Sequence, residues 1–245
     1  MQDRHARVVS KYAPMTLDRL ARRYRLSADQ VAQLQRLAGY IESDPHAPTG
    51  PRARAAAVDV HLADSLVGLE VEPLIRARRV TDIGSGAGFP GIPLAVALPA
   101  ATVSLVESQS RRCVFLELAV ATTGATNVAV VSGRVEEWRQ GRGLNDAVVA
   151  RAVAQQAVVL EYAAPLLRVG GALVDWRGKR SPREEEQAVR AAEELGLERH
   201  EIRGVRPYSA AEDHYLHLYF KVRETPERFP RRAGVARRRP LGLAR

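Results

Sequence analysis

Apolar residues recur at helical spacing in the first third of the chain. Residues 17–24 place an apolar side chain at every third or fourth position, as one face of a helix requires. Ser27 and Gln30 have the spacing of a capping box and open a second predicted helix, which ends before Pro45. A further helix is predicted over Ala55–Leu69. This part of the chain is therefore predicted to be a helical cap.

From residue 78 onward, short apolar runs alternate with helical stretches. Five runs are predicted as strands: Val80–Ile83, Val103–Glu107, Val128–Val131, Ala147–Ala150 and Gly171–Trp176. Four helices are predicted between them, at Pro93–Leu98, Ser110–Thr122, Val135–Gln140 and Gln155–Leu167. Strands that alternate with helices at this spacing predict a parallel sheet covered on both faces, which is an α/β fold.

The end of the sheet is predicted to run differently. A polar helix at Pro182–Leu195 is followed by two strand patterns, Arg199–Val205 and His214–Val222, with no helix between them. Strands joined in this way pair antiparallel. We therefore predict an antiparallel C-terminal hairpin at one edge of a mostly parallel sheet.

The charge is concentrated at the two ends. The chain of 245 residues has 37 Lys+Arg against 28 Asp+Glu, and only three of the basic residues are lysines. Residues 1–36 carry eight basic and three acidic groups, residues 223–245 carry eight Arg and two Glu, and the body between them is slightly acidic. Basic ends suit a protein that binds a polyanion, and they are equally typical of solvated tails. We expect a cap over residues 1–77, a ligand-binding domain over 78–222 and a basic tail over 223–245.

Composition excludes several classes of protein. The single cysteine, Cys113, excludes an internal disulfide framework and a four-thiolate metal site, and its apolar neighbours indicate a core position. His214 and His217 have no further ligand at metal spacing, so no metal is predicted. The longest weakly polar run, residues 88–101, is too short to span a bilayer, and no charged-then-apolar leader opens the chain. A cytoplasmic protein without membrane contact is expected.

The most informative segment is a glycine loop after the first predicted strand. The strand runs directly into Gly84, Gly86 and Gly88. Ligands bind at the carboxyl ends of strands in such sheets, and glycines there allow close approach of the backbone. An ordinary strand–helix turn seldom uses three alternating glycines. The spacing Gly86-x-Gly88-x-x-Gly91 formally matches the dinucleotide fingerprint, which is a weak signal when it stands alone.

Two features of this loop argue against a pyrophosphate. The carboxylate of Asp82 would repel phosphate and would suit a cationic group, and Pro90 and Pro93 reduce the free N–H groups in the turn. Both features fit S-adenosylmethionine, which carries a sulfonium and an amino group. Glu107, at the end of the second strand, is positioned to accept ribose hydroxyls of either ligand, so it does not discriminate between them.

Six segments along the chain carry a family resemblance. They are His61–Ser65, Asp82–Pro93, Glu107–Leu116, Ser132–Glu137, Asp146–Ala152 and Lys221–Arg231. Together they resemble the ribosomal RNA small-subunit guanine-N7 methyltransferases, also called the glucose-inhibited division protein B family, over most of the chain from residue 46. The chain departs from the family pattern at Ala47-Pro48-Thr49, where only Thr is kept of Asn-Leu-Thr, and at Arg177-Gly178, which replaces Lys-Gly.

The resemblance implies a Rossmann-like class I methyltransferase sheet that binds S-adenosylmethionine. It implies methylation of a guanine N7 in 16S rRNA, with that RNA or the small ribosomal subunit as partner, and no stable protein partner is predicted. Together with Gly86 from the loop, the cofactor contacts expected are Gly84, Phe89, Glu107, Val135, Glu136 and Arg151.

Guanine N7 has a lone pair and no proton, so methyl transfer to it by direct in-line displacement needs no general base. No catalytic residue is therefore predicted, and Arg151 and His61 are candidates for positioning only. Arg151 ends the fourth strand, where it would meet the guanine edge or form an ion pair with Glu136 or Asp146. A lone histidine such as His61 is more often a packed residue than a catalyst. The alternatives kept open are a methyltransferase of small molecules or of another RNA, and an NAD-binding reductase.

Overall fold

A seven-stranded sheet forms the centre of the molecule, in the strand order β3-β2-β1-β4-β5-β7-β6. The structure is a computed structural model, and it describes residues 15–243. The strands are β1 Arg79–Ile83, β2 Thr102–Glu107, β3 Val128–Ser132, β4 Asn145–Arg151, β5 Leu167–Arg177, β6 Leu197–Gly204 and β7 Tyr215–Lys221. Strand β7 pairs antiparallel with both β5 and β6, and the pairs among β1 to β5 are parallel. The predicted α/β class and the edge hairpin are confirmed.

Helices cover both faces of this sheet. The α-helices are α1 Leu17–Tyr24, α2 Ala28–Ser43, α3 Pro51–Ala55, α4 Asp64–Leu66, α5 Glu72–Ile75, α6 Gly91–Ala97, α7 Ser110–Thr123, α8 Gln156–Ala163, α9 Pro182–Leu195 and α10 Val235–Arg238. A π-helix at Ala57–Ala63 and 3-10 turns at Val67–Glu70, Val135–Glu137 and Arg139–Gly141 complete the described elements. In residues 15–243 no helix is both long and apolar enough to cross a membrane.

The capping box predicted at the start of α2 is present. Ser27 Oγ accepts a hydrogen bond from the backbone N–H of Gln30 at 3.2 Å, and Gln30 Oε1 accepts one from the Ser27 N–H at 2.8 Å. The Gln30 amide also donates to the carbonyl of Val96 at 2.8 Å, at the end of α6. Arg36 donates to the carbonyls of Thr122 and Thr123 at the end of α7. The cap is thereby fixed to the helices that follow β1 and β2.

Side chains of the central strands alternate between two cores. In β4, Val149 packs in the core shared with Leu34 and Ile41 of α2, whereas Val148 packs in the core formed with α8 and α9. This alternation is the two-residue period of a strand buried on both faces. The carboxyl ends of β1, β2 and β4 are therefore held rigidly at one edge of the sheet.

The segment between Val135 and Gln140 is not the helix predicted from the sequence. It forms two short 3-10 turns, Val135–Glu137 and Arg139–Gly141. Gly133 precedes them with φ +152°, and Gly141 packs so closely against the Trp138 ring that a Cβ would lie 2.4 Å from it. The 3-10 turn is used in short pieces and as a connector, and this segment connects β3 to β4.

The helix predicted over Ala55–Leu69 is likewise interrupted. Its centre is the π-helix Ala57–Ala63, which is followed by the short α4 and a 3-10 turn. π-Helical segments are uncommon and occur frequently at functional sites. This irregular segment carries His61 and Asp64, both buried.

The C-terminal tail packs against the body of the protein as far as it is described. Phe229 is buried in the core beneath α8 and α9, and Arg231 forms an ion pair with Glu161 of α8. At the end of β7, Lys221 is buried, and its Nζ donates to Ala164 O and contacts Thr225. Burial lowers the pKa of Lys221 to about 8. Residues 223–243 are therefore not a solvated appendage.

Candidate functional site

A cavity of about 450 Å³ opens at the carboxyl ends of β1, β2 and β4. We call it the glycine-loop cavity. Its lining is Ile83, Gly84, Val106, Ser108, Gln109, Gly133, Arg134, Val135, Glu136, Val153, Tyr162 and Arg237. The volume lies in the range of roughly 300–1,000 Å³ typical of small-ligand sites. Three of the predicted cofactor residues, Gly84, Val135 and Glu136, line it together.

The glycine loop takes a backbone conformation that side chains disfavour. Gly84, Gly86 and Gly88 have φ values of +68°, +57° and +91°. A Cβ on Gly84 would lie 3.1 Å from the Val153 side chain, and one on Gly88 would lie 2.4 Å from Ile92. A Cβ on Gly86 would meet only the Gly84 carbonyl, at 3.8 Å. The loop therefore needs glycine for its backbone at all three positions.

Asp82 supports this loop from behind and does not line the cavity. It is 1% exposed, and its Oδ2 accepts the backbone N–H of Gly91 at 3.0 Å. Burial raises the pKa of Asp82 to about 7. Asp82 Oδ1 has no hydrogen-bond partner among the described residues, and Asp82 is not part of the cavity lining. The expectation that Asp82 faces a cationic ligand group stays a prediction.

Glu107 ends β2 directly below the loop. Its carboxylate accepts the backbone N–H of Gly86 at 3.1 Å and that of Gln109 at 2.9 Å, and Arg112 lies 3.7 Å away. The Ser108 hydroxyl also donates to this carboxylate at 3.5 Å. A carboxylate offers about four acceptor positions, so these three hydrogen bonds leave capacity for a ligand. Glu107 thus links the glycine loop to the Ser108–Gln109 wall of the cavity.

The C-terminal tail completes the opposite wall. Glu136 Oε1 accepts the backbone N–H of Gly234 at 3.0 Å, and Arg237 donates to the carbonyl of Val153 at 3.0 Å. Burial and the nearby charge of Glu136 raise the pKa of Tyr162. The sequence reasoning did not assign the tail or Tyr162 to this site, although it had singled out Lys221–Arg231 as a family segment.

A second group of residues surrounds Arg151 at the end of β4. Its guanidinium forms an ion pair with Asp64 at 2.6 Å and lies 5.4 Å from the centre of the Phe89 ring. The Phe89 ring is stacked on His61 with ring centres 4.5 Å apart. The structure thus brings Phe89, His61 and Arg151 together, beside the glycine loop.

The ion-pair partners predicted for Arg151 were wrong. The sequence suggested Glu136 or Asp146, but Asp146 pairs with Arg168 at 2.6 Å and Glu136 binds the tail. The partner, Asp64, comes from the irregular helical segment, 87 positions away in the chain. In the sequence, Asp64 stands out only as part of the His61–Ser65 motif.

His61 is a packed histidine with both ring nitrogens in contact. Nδ1 lies 3.3 Å from Arg151 Nη2 and Nε2 lies 2.9 Å from Thr49 Oγ1. Because a guanidinium only donates, Nδ1 accepts and the ring proton sits on Nε2. Burial, with a smaller contribution from Arg151, lowers the pKa of His61 to about 4. Its ring is therefore neutral at pH 7 and orients Arg151.

A second cavity of about 500 Å³ lies on the other side of the segment that follows β4. We call it the Arg151 cavity. Its lining is Asp64, Arg151, Ala152, Trp176, Arg177, Gly178, Lys179, Val205, Glu212, Asp213, His214 and Tyr215. The neighbouring residue, Val153, lines the glycine-loop cavity. Residues 151–153 thus separate the two cavities.

No cluster of three His, Cys, Asp or Glu able to hold a metal ion occurs within residues 15–243. The two histidines of the C-terminal hairpin are separated. His217 is buried with its Nδ1 2.8 Å from the Gln156 amide, whereas His214 lines the Arg151 cavity. The prediction of no metal site stays a prediction.

Comparison with known proteins places the chain in a family. The model of the GidB family, described as rRNA small subunit methyltransferase G, matches residues 45–210. The chain is 40% identical over 211 residues to the ribosomal RNA small subunit methyltransferase G of Rubrobacter xylanophilus, covering 84% of this chain and 80% of that protein. It is 39% identical over 225 residues to the protein of the same name from Chloroflexus aggregans, covering 88% and 92%.

Solved structures support the fold. An O-methyltransferase family protein from Burkholderia thailandensis superposes with a TM-score of 0.53 at 16% identity, covering 83% of this chain and 76% of that one. At that identity the likeness concerns the sheet and its helices, which are those of a Rossmann-like class I methyltransferase. The family match over residues 45–210 and the identity to these relatives over most of their length show that this chain belongs to the GidB family of ribosomal RNA small subunit methyltransferases.

Proposed function

We propose that this protein is an enzyme that methylates N7 of a guanine in 16S rRNA, with S-adenosylmethionine as methyl donor. The observation that carries the proposal is the glycine-loop cavity at the carboxyl ends of β1, β2 and β4 in a chain of this family. A reductase that binds NAD and a methyltransferase of small molecules are not favoured, because the relatives are named as ribosomal RNA methyltransferases.

The residues present in the cavity fit the cofactor. A Cβ on Gly133 would have no atom within 4 Å, and the nearest atom to one on Gly86 is 3.8 Å away, so the backbone at both glycines is open to a ligand. Glu136 in the lining provides a carboxylate for ribose hydroxyls or an amino group, and Arg134 and Arg237 provide guanidinium groups for a carboxylate. Glu107 is not part of the lining; its carboxylate lies between Ser108, Gln109 and the glycine loop, where it binds the backbone of Gln109 and Gly86. An amino acid joined to a nucleoside carries these complementary groups.

We assign the following contacts within this proposal. Glu107 accepts the ribose hydroxyls, and Gly84 and Gly86 present their backbone to the ligand. Val135 and Glu136 form the wall opposite the loop. Phe89 and Arg151, which the resemblance also assigns to the cofactor, adjoin the loop through the Phe89–His61 stack. When bound, S-adenosylmethionine supplies an electrophilic methyl group.

The chain's own residues act by positioning. Guanine N7 carries no proton, so no residue has to remove one, and orientation of the base supplies much of the rate. Arginine is the side chain most often found at the N7/O6 edge of guanine. The contacts of Arg151 with Asp64 and His61 fix its guanidinium, and in our proposal its remaining N–H groups are directed at O6.

Replacing Glu107 with alanine is expected to weaken binding of S-adenosylhomocysteine by about ten- to a hundredfold, the value of one charged hydrogen-bonding group. Isothermal calorimetry measures this directly. Glu137→Ala is the matched control, because it removes the same charge from an exposed position next to Glu136. Loss of RNA binding with unchanged cofactor affinity in Glu107→Ala would contradict the assignment.

The proposed activity is tested by transfer of a labelled methyl group into RNA. We expect label in 16S rRNA, as naked RNA or within the small subunit, and N7-methylguanine after nuclease digestion. Calorimetry should show binding of S-adenosylhomocysteine and none of NAD. Label confined to small molecules, or to another position of the RNA, would overturn the proposal.

We further infer a cytoplasmic location and no stable protein partner. The location follows from the proposed substrate, since an enzyme that modifies ribosomal RNA works where ribosomes are assembled. Size-exclusion chromatography coupled to light scattering tests the second inference.

A further inference from the structure

The Arg151 cavity contains a buried carboxylate oxygen without a partner. Asp64 is 7% exposed; its Oδ2 accepts from Arg151 at 2.6 Å, and its Oδ1 has no hydrogen bond within the described chain. An unsatisfied buried acceptor is unfavourable and is uncommon in folded proteins. The unpaired Asp64 Oδ1 therefore indicates that a ligand supplies a hydrogen-bond donor at this position.

A histidine nitrogen faces this oxygen. His214 Nδ1 lies 2.7 Å from the carbonyl oxygen of Glu212, and because a carbonyl only accepts, Nδ1–H donates to it. The other ring nitrogen, Nε2, lies 3.9 Å from Asp64 Oδ1, which is too far for a direct hydrogen bond. Asp64 Oδ1 and His214 Nε2 thus stand side by side without a hydrogen bond between them.

The backbone beside these groups is unusual. Ala152, between the two cavities, has φ +56°, and Asp213, in the lining of the Arg151 cavity, has φ +52°. Non-glycine residues rarely adopt such values, and they concentrate at sites where structure serves a ligand. The segment that separates the two cavities and the loop that presents His214 both carry this feature.

We propose that Asp64 and His214 bind the Watson–Crick edge of the target guanine. This inference rests on the proposed function and names what the Arg151 cavity recognises. Guanine is the RNA base with two adjacent donors, N1–H and the 2-amino group, on that edge. Adenine presents an acceptor at N1 there, so it would face Asp64 Oδ1 with a lone pair. The 2-amino group lies across the base from N7, so this contact leaves N7 free to react.

The test is a double-mutant cycle, in which one group is changed on the RNA and one on the protein. Inosine at the methylated position keeps N7, O6 and N1–H and lacks the 2-amino group. With the unaltered protein, we expect kcat/KM for the inosine substrate to fall by about tenfold or more, because His214 then faces the bound base without the 2-amino donor. His214→Phe should slow methylation of guanine by a similar factor and leave the inosine substrate unaffected.

His46→Phe is the matched control, since the side chain of His46 is 87% exposed and lies outside both cavities. It should leave the preference for guanine unchanged. Unchanged affinity for S-adenosylhomocysteine verifies that each variant is folded. Equal slowing of both substrates by His214→Phe would mean that His214 serves only as an ion-pair partner of Asp64, and the inference would be wrong. Equal rates of guanine and inosine with the unaltered protein would also overturn it, whereas absence of N7 methylation in any RNA would refute the proposed function itself.

Discussion

Gly84→Val is expected to weaken binding of S-adenosylhomocysteine by at least about a hundredfold, or about 2.7 kcal/mol. Gly84 has φ +68°, a left-handed conformation that costs an L side chain roughly 1–2 kcal/mol. Its Cβ would also lie 3.1 Å from Val153, and the added methyl groups would push residues 151–153 out of place. Because this segment borders both cavities, the change affects the binding wall as well as the loop. Calorimetry measures the affinity.

Gly143→Val is the control that separates the cost of a strained backbone from the effect on the glycine-loop cavity. Gly143 has φ +64°, a Cβ added to it would have no atom within 4 Å, and it precedes β4 at the opposite end of the sheet. Both variants should unfold at a lower temperature, because valine strains the backbone at each position. Only Gly84→Val should also lose affinity for S-adenosylhomocysteine. Equal affinity of the two variants would contradict a role for Gly84 in the cavity.

Arg231→Ala is expected to lower the free energy of unfolding by about 3–5 kcal/mol, the usual cost of leaving one member of a buried ion pair alone. Glu161 is fully buried, and its carboxylate accepts Arg231 Nε at 2.9 Å, Nη2 at 2.5 Å and the backbone N–H at 3.0 Å. Alanine retains only the backbone contact. Urea denaturation followed by circular dichroism measures the loss.

A second ion pair in the same tail provides the control. Arg228 and Glu194 are 3.2 Å apart with side chains 64% and 40% exposed, so Arg228→Ala should cost about 1 kcal/mol or less. Arg231→Ala should also weaken the cofactor, because the tail holds Glu136 through Gly234. If both arginine variants were equally stable, the tail would not be anchored as described.

The sheet and the glycine loop could be predicted because their signals are local. A strand that ends in Gly84, and a second that ends in Glu107, follow from apolar runs and glycine spacing within a few residues. The capping box of Ser27 and Gln30 is local in the same sense. By contrast, the helix predicted at Val135–Gln140 is replaced by two short turns. Helix propensity describes single residues and does not include the close packing of Gly141 against Trp138.

The partners inside the site could not be predicted from spacing. The ion-pair partners considered for Arg151, Glu136 and Asp146, precede it in the same part of the chain. Asp64 instead reaches Arg151 from an irregular helical segment that apolar periodicity predicts as one regular helix. The tail was singled out by its charge and by the family segment Lys221–Arg231, and neither shows that Phe229 is buried or that Gly234 binds Glu136. These contacts depend on the packed fold, which brings distant segments together.

The scarcity of lysine leaves Lys179, beside the Arg151 cavity, as the exposed lysine of the described surface. Of the three lysines, Lys11 lies outside the described residues, Lys221 is buried at the end of β7, and Lys179 is exposed on the rim of that cavity. An amine-selective reagent will therefore attach to the described surface at Lys179. A fluorophore placed there would report occupancy of the cavity by RNA, and acylation of Lys179 would remove a positive charge from its entrance.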